Sequence, residues 1–213
     1  GNMLSLAESR GRKFAPEWTG FSAQRPAVDG IQTLVTDVDT LSSYIDWTPF
    51  FAAWEMPGRF PEVLSHPDRG VAASELFRDA EAMLARIADE GWLQPRAVFG
   101  FFPACSDGDD IVIFDSEDRD GNATRLFNLR QQQVRGDAAT AYCLGDFVAP
   151  RATGVEDYVG AFAVTAGLEL EEQAGAFEAA NDDYNSILLK SLADRLAEAY
   201  AEYLHLRVRR EFW

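Results

Sequence analysis

Positive charge, cysteine and histidine are all scarce in this sequence. Its 213 residues hold 19 Lys and Arg against 35 Asp and Glu, a formal net charge of −16, and the isoelectric point lies near 4.4. So acidic a chain repels phosphate backbones and anionic lipid, which excludes nucleic acid and membranes as natural partners. No apolar run reaches the roughly 18 residues of a membrane-spanning helix, and no basic-then-apolar leader opens the sequence. A cytoplasmic protein is the expectation. The two cysteines, Cys105 and Cys143, have neither CxxC nor metal-site spacing and read as buried free thiols in a reducing compartment.

Motifs that carry chemistry are as scarce. His66 and His205 have no nucleophile context, and no Ser-His-Asp or Cys-His constellation assembles by motif. Glu202-Tyr203-Leu204-His205 has the ExxH spacing of di-iron bundles, but such a site needs a second ExxH and two further glutamates. Asp107-Gly108-Asp109-Asp110 lacks the spacing and terminal glutamate of a calcium loop. Gly160 and Gly167 fit neither GxGxxG nor a phosphate-binding loop. No catalytic residue and no metal ligand is assigned.

What is present is an ordinary globular composition, 47% hydrophobic and 25% charged, enough to bury a real core. Residues 1–30, interrupted at Pro16, Gly20, Pro26 and Gly30, read as an extended N-terminal arm or linker, and residues 31–213 as one α+β domain. Within it, Ile31 to Val35 alternates as a strand, and Asp39 opens a helical turn. Val71 to Glu90 repeats Leu76, Ala80, Met83, Leu84 and Ile87 at helical spacing and stops at Gly91. Strands are predicted at Arg96–Phe102, Asp110–Phe114, Thr124–Leu129 and Tyr158–Gly167, then helices over Glu169–Ala180 and Asn181 to about Arg210. The predicted fold is a mostly antiparallel twisted sheet with packed helices and a long C-terminal helix. Arg130, Arg135 and Arg151, with Gln131 to Gln133, read as solvated surface; a docking patch for an acidic electron carrier is the functional alternative.

Two carboxylates stand out. Tyr44-Ile45-Asp46-Trp47-Thr48-Pro49-Phe50-Phe51 sets Asp46 among four aromatics. Thr48 before Pro49 reads as helix N-cap and first helical residue, with the helix running to about Glu55. Asp46 is then left either to complement the helix dipole or to hold a cationic group such as an ammonium. In the last helix, Tyr184, Leu188, Leu192, Leu196, Ala199 and Tyr203 form the core stripe, and Glu198 lies roughly 130° from its middle, with Asp194 and Ile187. By its own position Glu198 reads as solvated.

Tyr44 to Phe51, Phe147 to Pro150, Gly160 to Thr165, Asp182 to Asn185 and Ala193 to Ala199 occur in an order that resembles the activation domain of cobalamin-dependent methionine synthase. The resemblance runs from about Leu4 to Trp213. It implies a domain that binds S-adenosylmethionine and presents its methyl group to cobalamin held by another module, with a flavodoxin-type electron donor. By the same match, Asp46 and Glu198 become S-adenosylmethionine contacts, chemically apt because carboxylates accept from an ammonium or ribose hydroxyls. Residues 1–30 would join a preceding cobalamin-binding module. Family members continue past the equivalent of Trp213 into a segment with an arginine, a proline and a Gly-Tyr-Pro motif that supplies much of the ligand site. A fragment without it is expected to bind the ligand weakly or not at all, and extension through that segment to restore binding. The rival reading is a stand-alone, non-enzymatic binding or scaffold module of the same fold that has lost the ligand.

Overall fold

The computed structural model describes residues 2–134 and 139–213. In chain order come β1 (Asn2–Met3), α1 (Leu6–Gly11), β2 (Ile31–Val35), α2 (Val38–Ser42), α3 (Trp47–Ala53), α4 (Gly70–Glu90), β3 (Arg96–Asp107), β4 (Asp110–Phe114), β5 (Ala123–Leu126), β6 (Gln133–Val134), β7 (Asp157–Thr165), α5 (Leu170–Ala179) and α6 (Asp183–Arg207). One-turn 3-10 segments occupy Glu62–Ser65, Leu144–Phe147 and Arg151–Thr153, and a π-helical turn, Val208–Phe212, follows α6. The sheet has five strands in the order β2-β3-β4-β5, with β7 also on β3; β1 and β6 form a separate pair. Pairing is antiparallel, with Ala104 opposite Ile113 and Ile111 opposite Leu126. The α+β class, the antiparallel sheet and the long last helix are as the sequence predicts.

Contacts divide the chain into two compact units. The first comprises Gly1–Ile31, Gly100–Ala161 and Phe212–Trp213. Its N-terminal stretch is not wholly extended: Ser5 and Glu8 close a capping box and start α1, a local signal that outweighs the loop character of the rest. Leu4 N–H bonds to Gln132 O and Ala141 N–H to Arg12 O, so this stretch is hydrogen-bonded into the unit. The strand predicted at Thr124–Leu129 stops at Leu126, and Phe127 and Leu129 are 82% and 94% exposed.

Arg130 departs from expectation. The sequence reads it as solvated surface, yet its side chain has no exposed area. Its guanidinium grips Asp146 through both terminal nitrogens at 2.8 and 2.6 Å, Asp109 through Nε at 2.9 Å and the Ala141 carbonyl at 2.7 Å. Burial is tolerated because every donor direction meets an acceptor, and two of the partners are charged. Arg10 joins the network, its Nε donating to Asp109 at 2.8 Å. Asp107 and Asp110, the rest of the acidic cluster, both receive Arg125. Arg151 lies over the Phe114 ring at 5.6 Å. Arg135 falls outside the described residues.

The second unit, Gln32–Phe99 with Phe162–Glu211, is a helical core. α6 buries Leu188, Leu189, Leu192, Leu196, Ala199 and Tyr200 against α2, α3, α4 and α5. Each fully buried leucine contributes about 1.5–3 kcal/mol as an upper estimate. Tyr200 satisfies its hydroxyl inside this core, donating to Leu34 O and accepting from Thr36 Oγ1, both at 3.0 Å. α4 ends as predicted: Gly91 takes φ 66°, a left-handed cap that favours glycine, and returns its N–H to Ile87 O. Tyr184, assigned by its spacing to the core stripe, instead lies at the rim, its hydroxyl donating to Asp79 at 2.7 Å. Burial and then that carboxylate push its pKa up to about 12.

Candidate functional site

Asp46 has the structural role that the sequence assigns to Thr48. It is the N-cap of α3, with extended backbone (φ −81°, ψ 111°), and its Oδ1 accepts the Thr48 N–H at 2.9 Å. The helix therefore starts at Trp47 and Pro49 is its third residue, not its first. Proline is tolerated there because the first four helical N–H groups have no intrahelical partner. Thr48 is left free to bond elsewhere, and its Oγ1 accepts the Phe60 N–H at 3.2 Å, tying the following loop to α3.

The aromatics around Asp46 mostly face the core. Phe50 and Phe51 are buried. Trp47 packs edge-on to Phe50 and Phe77, with ring centroids 5.3 and 4.9 Å apart, and Phe51 stacks on Phe60 at 6.0 Å. Tyr44 meets Tyr203 of α6 at 5.3 Å, and at the other end of α3 Trp54 meets Tyr184 at 5.6 Å. α3 thus runs along α6 in the opposite direction. Asp46 itself is exposed.

Glu198 stands on the C-terminal half of α6, the half that Tyr44 touches, on the side turned away from Leu192, Leu196 and Tyr200. Arg195, one turn earlier, holds it in a bidentate pair with Nη–Oε distances of 2.6 and 2.8 Å. The pair is asymmetric: the Arg195 side chain is 15% exposed, that of Glu198 63%. The structure therefore puts Asp46 and Glu198 in one unit, on neighbouring elements, each with a local partner of its own. The Arg195 contact was legible in the spacing, since residues three apart share a helix face. His205, the other polar residue that the sequence singles out nearby, packs edge-on to Phe162 at 5.2 Å.

Two further blocks shared with the resembled family prove structural in the same way. Asp182 is the N-cap of α6, accepting from Asn185 N at 3.1 Å and from its Nδ2 at 2.7 Å, and these contacts hold its carboxyl below the usual range, the side-chain bond most. The Phe147-to-Pro150 block is pinned by Ser106, whose Oγ donates to Val148 O and whose N–H donates to Ala149 O, both at 2.9 Å. Beyond these, the second unit has a cavity of about 400 Å3 beside Val35, Asp37 and Ile87. The first unit has a polar cavity of about 420 Å3 that includes Arg25, Glu117 and Tyr158. The sequence carries no signal for either, because their walls come from distant stretches.

Comparison with known proteins adds the context. Residues 37–213 match the family model described as vitamin B12 dependent methionine synthase, activation domain. The chain is also similar to the crystal structure of the MetH reactivation domain bound to AdoHcy, at 46% identity with a TM-score of 0.91. That match covers 100% of this chain and 65% of the other, so the chain spans less than two thirds of the structure it matches. With the family model matching most of the sequence, the chain belongs to the activation-domain family of vitamin B12-dependent methionine synthases.

Proposed function

We propose that this chain binds S-adenosylmethionine and supports the reductive remethylation of cobalamin in a methionine synthase. The observation that carries the proposal is the similarity, over the whole chain, to a reactivation domain bound to AdoHcy, which is S-adenosylmethionine less the methyl group. In this reading one electron from a flavodoxin-type donor and the methyl of S-adenosylmethionine together return inactive cob(II)alamin, held by another module, to methylcobalamin, leaving AdoHcy. Residues 1–30 serve as the arm toward that module, and the assembly works in the cytoplasm. The chain on its own transfers no methyl group to a thiol substrate.

Asp46 and Glu198 are the proposed ligand contacts, accepting from the ammonium or the ribose hydroxyls. Asp46 caps α3 through one oxygen and keeps the other for a ligand. Glu198 must share its carboxylate with Arg195, so ligand binding there exchanges one charge-assisted bond for another. Long-range charge assists. The second unit carries ten basic and 21 acidic residues, a formal −11. S-adenosylmethionine, with sulfonium, ammonium and carboxylate, is a net cation, whereas AdoHcy is neutral; the field of this unit favours the methyl donor over its product.

One observation favours the rival reading of a binding or scaffold module without the ligand: both carboxylates already have partners within the protein. Calorimetric titration of S-adenosylmethionine and AdoHcy into the chain, beside Asp46→Asn and Glu198→Gln, separates the two. Binding that both substitutions weaken supports the site. Binding indifferent to both removes these residues from it, and no binding by the folded chain even when it is extended with the family's C-terminal segment favours the scaffold.

A further inference from the structure

The polar cavity of the first unit has charge of both signs at one rim. Arg25 Nη2 lies 3.3 Å from Glu117 Oε1, and the second Glu117 oxygen accepts the Tyr158 hydroxyl at 3.0 Å. Glu156 adds a second carboxylate to the lining, and Phe21 an aromatic wall. Phe21, Thr153 and Val155 also line an adjoining cavity of about 540 Å3, where Trp18 meets Phe21 edge-on at 5.2 Å. The space is thus charged at one end and aromatic along the other.

The charged end is built on a fixed loop. Arg119, two residues after Glu117, has φ +56°, a left-handed conformation that non-glycine residues seldom adopt. Its guanidinium donates to Ala104 O at 3.0 Å and Asp157 O at 2.8 Å and lies 5.7 and 5.8 Å from the ring centroids of Phe114 and Tyr158. Strain retained this way marks a loop that its surroundings over-determine. Tyr158 is buried, and its pKa is raised by that burial and by Glu117, which keeps the phenol a donor. The Arg25–Glu117 pair is itself open to exchange, with side chains 61% and 46% exposed, and pairs so exposed hold weakly.

We propose that this cavity binds a free α-amino acid with an aromatic or large apolar side chain. The ligand's carboxylate pairs with Arg25, its ammonium with Glu117 and Glu156, and its side chain lies along Phe21 toward Trp18. A simple amine would draw Glu117 from Arg25 and leave the guanidinium only its longer contact with Asp29, 3.7 Å away. A simple carboxylate or phosphate would meet the two glutamates. Only a molecule with both charges adjacent satisfies the rim. The site is separate from Asp46 and Glu198 and does not rest on their assignment.

The test is an amide NMR titration of the chain with L-phenylalanine, with phenethylamine, which lacks the carboxylate, and with 3-phenylpropanoate, which lacks the amine. L-phenylalanine is expected to shift the amides of Ser22, Glu117 and Gly154 with a Kd on the order of 1 mM, as suits a solvent-open pair, and each analogue to bind at least about tenfold more weakly. Arg25→Gln and Glu156→Gln, both at exposed positions, should each weaken L-phenylalanine about tenfold while leaving the rest of the spectrum in place. Equal binding by either analogue, shifts centred away from those amides, or none at millimolar ligand would overturn the proposal.

Discussion

The two units of this chain are held by different physics. The first fastens loops with arginines: Arg130 on Asp146 and Asp109, Arg10 on Asp109, Arg125 on Asp107 and Asp110, Arg119 on two carbonyls. The second packs leucines and aromatics between helices and keeps its charge outside, carrying −11 of the formal −16. A helical stripe buries apolar area continuously, so it needs no polar fasteners. A short sheet with long loops has backbone and side-chain polar groups to satisfy, and arginine supplies several donors from one residue. The excess of acid is therefore not one property of the chain. In the first unit the carboxylates of Asp107, Asp109, Asp110 and Asp146 are held by arginines as structure, whereas the second unit carries most of the excess negative charge as a field.

The contrast is tested most strongly by removing one fastener from each unit. Arg130→Ala leaves Asp146 buried without its countercharge and is expected to cost about 3–5 kcal/mol. Leu196→Ala opens a cavity in the helical core and should cost about 2–5 kcal/mol. Hydrogen exchange reads where each loss falls: the first substitution should raise exchange in β4 and β5 more than in α6, and the second should do the reverse. Equal loosening of both units by either substitution would show that the division has no energetic meaning.

A smaller effect separates the two roles of Asp46. Asp46→Ala removes the α3 cap and should cost about 1 kcal/mol in a denaturant melt, whereas Asp46→Asn, an equally good cap, should cost a few tenths at most. If Asp46 also contacts S-adenosylmethionine, the Asn variant keeps its stability and loses affinity. Thr48→Ala should leave the cap intact and release only the Phe60 tie, the opposite of what the sequence suggests.

The smallest expected effect is an acid limb confined to the first unit. Burial alone would raise the Asp109 pKa, but hydrogen bonds from Arg10 and Arg130 outweigh it and hold the carboxyl below its ordinary value. A carboxyl lowered in the folded state stabilises fully above its unfolded pKa, near about 3.9, and that contribution fades as pH falls through the lower folded value. Asp109→Asn should therefore lose stability at neutral pH and show a shallower decline below about pH 4, measured by urea melts across pH. An unchanged slope would assign the acid limb to other carboxylates.

Most of the helical half was legible in the sequence. The α4 repeat with its Gly91 stop and the α6 stripe from Leu188 to Ala199 follow from a period of 3.6, and the strand over Ile31–Val35 from a period of 2, which each segment carries alone. The same arithmetic places Glu198 outside the core, and the aromatic neighbours of Asp46 single it out without reference to any partner. What sequence could not decide were choices between equals. Thr48 and Asp46 are both competent caps, and Thr48 is claimed by an N–H from Phe60, twelve residues on. Arg130 reads as surface because a lone arginine is costly to bury; only the fold brings Asp109 and Asp146 to it, from 21 residues before and 16 after. The rim of the first unit's cavity joins residues 25, 117 and 158 in the same way. Local periodicity is a property of a stretch of chain, whereas a charge's partner is a property of distance in space, and only the tertiary structure sets that.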